Sequence, residues 1–165
     1  MIRRFLRHVW GLPWPRGIRL LASTAVTLPG LRLLFIPHFT VGVVGLIFDG
    51  DGRLLLLEHT YRAQYPWGLP TGFVEHGEQP RDALEREMRE ETGFTVNLST
   101  SPFVYVSDSP PILNVLYRGT FVAGHFEPGA EISAARFFAR KESPPLNPEQ
   151  AALLRKVLQE DGTWS

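Results

Sequence analysis

Residues 72–94 read GFVEHGEQPRDALEREMREETGF, and this stretch decides how the rest of the chain is read. An α-helix advances about 100° per residue, so Glu87, Glu90 and Glu91 fall within an arc of roughly 100°. Leu84 and Met88 lie beside that arc and can anchor the helix on a core, while Glu85 and Arg89 fall on the opposite side. Pro80 suits a first helical turn and Gly93 a C-terminal cap, which predicts a helix from about Pro80 to Thr92. Arg86 stands one turn before Glu90, where it can pair with it. The residues before the helix, Thr71 to Glu78, are predicted as a loop rich in Gly and Glu. Three carboxylates aimed at one place repel each other, and a divalent cation is the usual reason for such crowding. The plainer alternative is a solvated, charge-laced surface helix.

The full spacing separates the two readings. Gly72, Glu78, Arg86, Glu87, Met88, Glu90, Glu91, Gly93 and Phe94 occupy every fixed position of the pattern Gly-x5-Glu-x7-Arg-Glu-U-x-Glu-Glu-x-Gly-U, with U apolar. From average residue usage, a chance match in a chain this long is on the order of one in ten million. The segment resembles the signature box of the Nudix hydrolases, and the order of elements around it is similar to that family's.

The resemblance implies an α/β fold, a Nudix-type α/β/α sandwich with a mixed sheet; the N-terminal helical extension expected before it is a part the family does not explain. It implies hydrolysis of the pyrophosphate linkage in a nucleoside diphosphate joined to another moiety, with Mg²⁺ or Mn²⁺. Carried over by position, Glu87, Glu90 and Glu91 are the metal ligands, and Gly72 offers a backbone carbonyl near the metal. Arg86 orients a glutamate, Glu78 braces the loop, and Glu75 acts through a second metal or a water. The general base is a box glutamate, Glu90 or Glu91, or an acid on a later loop; Glu131 is the favoured later candidate and Glu127 a weaker one. Hard oxygen ligands with the substrate completing the shell suit Mg²⁺, and a cation that neutralises phosphate and activates water suits the reaction. Thr71 departs from the commoner Gly-Gly start of the loop, which bears on loop conformation and phosphate access. A non-catalytic nucleotide-sensing module of the same fold is the alternative; such modules usually lose box glutamates, and these are intact.

Substrate choice is weakly written. Tyr61, Tyr65, Trp67, Phe103 and Tyr105 are candidates for stacking on a base, with Tyr61 and Trp67 the first picks, and His76 lies where it could reach a phosphate. ADP-ribose hydrolases of the family tend to carry a proline some 15 residues past the box. Here Ser109 holds that position, with Pro110 and Pro111 after it. That near miss makes ADP-ribose or a related derivative the first guess.

The chain has 165 residues and 44% hydrophobic composition, enough to bury a core unaided. Seventeen acidic residues balance seventeen basic ones, so no broad basic field indicates a nucleic acid polymer as partner. The absence of cysteine excludes disulfides, thiol catalysis and Cys-based zinc sites, and fits a cytoplasmic setting.

Further predicted elements are a buried strand from His38 to Phe48, a turn at Asp49–Gly52 and a returning strand from Arg53 to Glu58. Val96 to Val106 and Ile112 to Ala123 read as antiparallel strands, Ala134 to Ala139 as a short one. Asn147 should cap a last helix from Pro148 to about Gln159. Two parts result: an extension over 1–36 and a hydrolase domain over 37–165. The extension carries Arg3, Arg4, Arg7, Arg16 and Arg19 with Trp10 and Trp14. Docking on its own domain or across a homodimer, contact with a membrane surface, and a targeting peptide are its three readings. Leu20 to Leu31 is too short to span a bilayer.

Overall fold

The computed structural model describes residues 40–108 and 111–159. The extension, the boundary drawn after residue 36, and Ser109 and Pro110 lie outside the described residues. Eight strands, β1 (Thr40–Phe48), β2 (Leu54–His59), β3 (Trp67–Gly68), β4 (Thr71–Phe73), β5 (Thr95–Leu98), β6 (Phe103–Asp108), β7 (Pro111–Ala123) and β8 (Ile132–Phe138), form one mixed sheet. Helix α1 (Pro80–Thr92) and helix α2 (Pro148–Gln159) complete the framework, with a 3₁₀ turn over Arg140–Glu142.

The apolar run of β1 earns its central place by pairing on both edges. One edge runs parallel to β7 from Thr40↔Ile112 to Phe48↔Thr120. The other meets β2 only at Phe48↔Leu54, beyond the turn that Asp49 closes by accepting the Asp51 and Arg53 N–H groups. From there β2 diverges to pair with β8 and β3. The vacated edge of β1 is taken by β4, through Gly42↔Phe73, Val43↔Gly72 and Val44↔Thr71. The expected loop from Thr71 to Glu78 therefore begins as a strand, because β1 needs partners there for its backbone groups.

Alternation along the strands sorts their side chains to two cores. Val43, Ile47, Leu55 and Leu57 pack with Ala83, Leu84 and Met88 of α1. Val44, Leu46, Leu54 and Leu56 pack with Leu153, Leu154, Val157 and Leu158 of α2. Helices on both faces of a mixed sheet make the expected α/β/α sandwich. Each fully buried Leu contributes about 2 kcal/mol, so truncating Leu56, 0% exposed, would cost more than any surface change.

The stretch from Val96 to Val106 is not one strand. β5 and β6 both pair antiparallel with β7, at Leu98↔Gly119 and Phe103↔Leu116, and residues 99–102 bulge between them. The bulge is SerThrSerPro, and Pro102 has no N–H to give a ladder. Both helices run as expected: Gly93 ends α1 at φ 70°, and Asn147 Oδ1 accepts the Gln150 N–H at 2.8 Å to cap α2. Among the described residues no helix is long and apolar enough to cross a membrane.

Candidate active site

Arg86 organises one wall. Its Nε and Nη2 donate to Glu78 at 3.0 and 3.2 Å, and Nη2 also donates to the Phe73 carbonyl at 3.1 Å. Nη1 lies 3.1 Å from Glu87 Oε1 and 3.2 Å from Glu90 Oε2. These bonds, those to Glu78 first, hold the guanidinium above its ordinary pKa, and the Glu78 carboxyl sits correspondingly low. Glu78 Oε2 also accepts the Glu75 N–H, so the loop is tied to α1 through one cation.

β4 comes close to α1 here, and only because residue 72 lacks a side chain. A Cβ on Gly72 would stand 2.2 Å from Glu87 Cγ and 2.5 Å from Glu87 Oε1. The same carboxylate accepts the Phe73 N–H at 3.4 Å.

Glu87 and Glu91 open onto a cavity of about 460 Å³ that Gly72 and Glu131 also line; the Glu131 carbonyl accepts the Thr60 N–H at 2.9 Å. The Glu91 carboxyl is pushed up to about 7, by burial first and then by the charges of Glu87 and Glu131; Arg62 opposes the rise. A carboxylate raised by its neighbours is one that a cation would lower, and the donors are all hard oxygens, so the residues fit Mg²⁺ or Mn²⁺. Glu90 differs from expectation. It is exposed, leans on Arg86 and does not line the cavity. Among the described residues no three acidic or histidine side chains converge into a complete cage. The helical arc aims the three glutamates alike, but Arg86 draws Glu87 and Glu90 to itself. Mg²⁺ needs only one or two carboxylates besides substrate and water.

The opposite wall comes from the end of β2 and the segment after it. His59 is 4% exposed, and neither ring nitrogen has a hydrogen-bond partner. Burial, with the Arg62 charge second, lowers its pKa to about 4, so the ring is neutral near pH 7. Tyr61 stands edge-on to it at 5.4 Å between centroids, and Arg62 Cζ lies 5.6 Å from the Tyr61 centroid. Tyr105, Ser107, Asn114 and Gln150 line the remainder.

Of the substrate candidates, Tyr61 and Tyr105 line this cavity. Trp67 does not: it packs edge-on against Phe138, 5.0 Å between centroids, at the margin of the α2 core. Glu75 and His76 are exposed on the loop and outside the lining, as is Glu127. Sequence reading missed His59, Arg62 and Asn114. Asn114 had a signal, a lone amide inside the apolar run ILNVLY. His59 and Arg62 had none, since their importance depends on where the end of β2 faces.

Comparison with known proteins agrees with this geometry. The family model described as NUDIX domain matches residues 38–160. The chain is 32% identical over 117 residues to an ADP-ribose pyrophosphatase of Methanocaldococcus jannaschii, covering 66% of this chain and 67% of that one. It is 41% identical over 95 residues to an RNA pyrophosphohydrolase of Bartonella bacilliformis, covering 48% and 54%. The alignments thus span between about half and two thirds of these relatives' own length. A crystal structure of a Nudix hydrolase from Nitrosomonas europaea superposes with a TM-score of 0.66 at 24% identity, over 77% of this chain and 74% of that one, and shares the fold. With its box complete and its model match covering most of its length, the chain belongs to the Nudix family.

Proposed function

We propose that the chain is a metal-dependent pyrophosphohydrolase that cleaves the diphosphate linkage of a nucleotide derivative, with ADP-ribose as the first substrate to try. The observation that carries this is that Glu87, Glu91 and Glu131 line one cavity of about 460 Å³, a size that suits a nucleotide. The name of the 32% identical relative supports ADP-ribose. Glu87 and Glu91, with the carbonyl of Gly72, would hold Mg²⁺ or Mn²⁺, and Glu90 would join them on leaving Arg86. When bound, the cation would neutralise diphosphate charge and make the phosphorus that water attacks more electrophilic. Arg86 fixes Glu87 in the rotamer that faces the cavity. Glu131, exposed yet close enough to Glu91 to raise its pKa, would take a proton from the attacking water. Tyr61, exposed at the mouth, offers a face on which a base can stack.

The test is turnover of a panel by full-length protein with Mg²⁺ or Mn²⁺. It should hold ADP-ribose, NADH, nucleotide sugars, CDP-alcohols, dinucleoside polyphosphates, nucleoside triphosphates and a 5′-triphosphorylated RNA. Glu91→Gln is expected to lower kcat by about a thousandfold. A panel left untouched, with nucleotide binding intact, would instead favour the sensing module. The same reading takes the protein as cytoplasmic and homodimeric, with an extension over 1–36 and the hydrolase domain over 37–165. The cysteine-free sequence and the Trp- and Leu-bearing extension support it, and light scattering coupled to gel filtration tests the dimer.

A further inference from the structure

Arg62 is the cation that the acidic wall does not use. Among the described residues it makes no ion pair, and its Nη1 is buried without a hydrogen-bond partner. A buried charged donor left unbonded is costly, yet the fold makes room for this one. A Cβ on Gly68 would stand 2.5 Å from Arg62 Nη1 and 3.2 Å from Gln150 Oε1, so the glycine in β3 forms a notch into which the guanidinium fits. Gln150 Oε1 accepts the Leu69 N–H at 3.1 Å and makes no hydrogen bond to Arg62 Nη1. The Tyr61 ring covers the guanidinium carbon at 5.6 Å. His59 beside it is buried and neutral, so it neither repels the cation nor pairs with it.

Arg62 lines the same cavity as Glu87, Glu91 and Glu131, within electrostatic reach of Glu91. The cavity therefore offers two kinds of group to an anion: carboxylates that would hold a divalent cation, and a guanidinium whose Nη1 has no internal bond to break. A single phosphate needs only one of them, whereas a diphosphate presents an anionic group to each. We propose that Arg62 is the second anion anchor of this cavity, taking the phosphoryl group of a diphosphate that lies away from Glu87 and Glu91. The inference rests on the pyrophosphohydrolase reading and assigns the residue that selects diphosphates. Two parallel N–H···O bonds from a guanidinium to one phosphoryl group supply geometry as well as charge.

The experiment is calorimetric titration of the full chain, wild type, Arg62→Gln and Arg62→Lys, with Mn²⁺ alone and then with ADP in the presence of Mn²⁺. Expected for Arg62→Gln is an ADP affinity lower by roughly tenfold or more, Mn²⁺ affinity unchanged or tighter, and a Tm equal to or above that of the wild type. Arg62→Lys restores charge without the fork and should recover only part of the loss. ADP affinity within twofold of the wild type in Arg62→Gln overturns the proposal, as does undetectable ADP binding by the wild type. A joint loss of ADP affinity, Mn²⁺ affinity and Tm also overturns it, because a packing role would produce that. Failure of the functional reading looks different: no panel substrate turns over, while ADP binding still depends on Arg62.

Discussion

The two walls of the cavity are built on opposite plans. On the α1 side all three nitrogens of Arg86 are bonded, to Glu78, Glu87, Glu90 and the Phe73 carbonyl. On the far side both nitrogens of His59 and Nη1 of Arg62 are buried and bonded to nothing. The contrast separates two uses of polar groups. A network saturated from within fixes shape and keeps like charges in place; a group left unsaturated keeps its bonding capacity for whatever enters. The first wall should respond to mutation as a unit, and the second should respond to ligand and to pH.

Among changes to the frame around the glutamates, the largest effect should come from closing the gap between β4 and Glu87. Gly72→Ala puts a Cβ within 2.2 Å of Glu87 Cγ and must displace that carboxylate. About a hundredfold loss of kcat/KM is expected, from misplacement of a reacting-site group by an ångström or so, read by steady-state kinetics on the best panel substrate. Arg86→Ala comes next, with a loss of roughly tenfold to a hundredfold in activity or metal affinity. Its signature is loss of unity: Glu78→Gln should then add little on top, as a double-mutant cycle would show.

The far wall is tested through His59. Its folded pKa is depressed from 6.5 to about 4, so between these values the unfolded chain binds a proton that the folded chain refuses. Stability is thus fully present above pH 6.5 and falls as the pH drops toward 4. The His59 share of the change from pH 7.5 to 5 should be a loss of about 2 kcal/mol. Glu91, pushed up to about 7, contributes with the opposite sign, so the share is read as the difference between wild type and His59→Gln in urea unfolding. His59→Gln should remove that component of the slope; an unchanged slope would mean that the ring is solvated. The smallest effect is expected at Asn147, which caps α2 and also lines the cavity. Asn147→Ala removes the cap and should cost about 1 kcal/mol, read by urea unfolding.

What was legible in the sequence follows the same division. Helix α1 was readable to its ends because Pro80, Gly93 and the spacing of Leu84 and Met88 are local signals. The glutamate box was readable because its residues are fixed by one helix and one loop. Thr71–Phe73 as a strand was not, since it depends on β2 leaving the edge of β1. The interruption at residues 99–102 turned on how many residues β7 offers opposite them. Trp67 looked like a stacking platform from its type alone, but β3 sets it against Phe138. Arg62 owes its position to a glycine six residues on and a glutamine in the last helix, and no local pattern carries that.

The parallel pairing of β1 with β7 has a consequence for how the molecule is made. Thr40 is registered with Ile112, across most of the described chain, and α1, Arg62 and the hairpin turn all lie within the loop that this pair closes, whereas Glu131 and Gln150 follow it. Loop closure over such a span comes before any reward from the ladder, which puts refolding in the slower range, of order milliseconds to seconds. A nascent chain has no centre to its sheet until β7 has emerged. The carboxylate cluster then stays apart from its opposing arginine until late in folding, and the cavity forms as a whole or not at all.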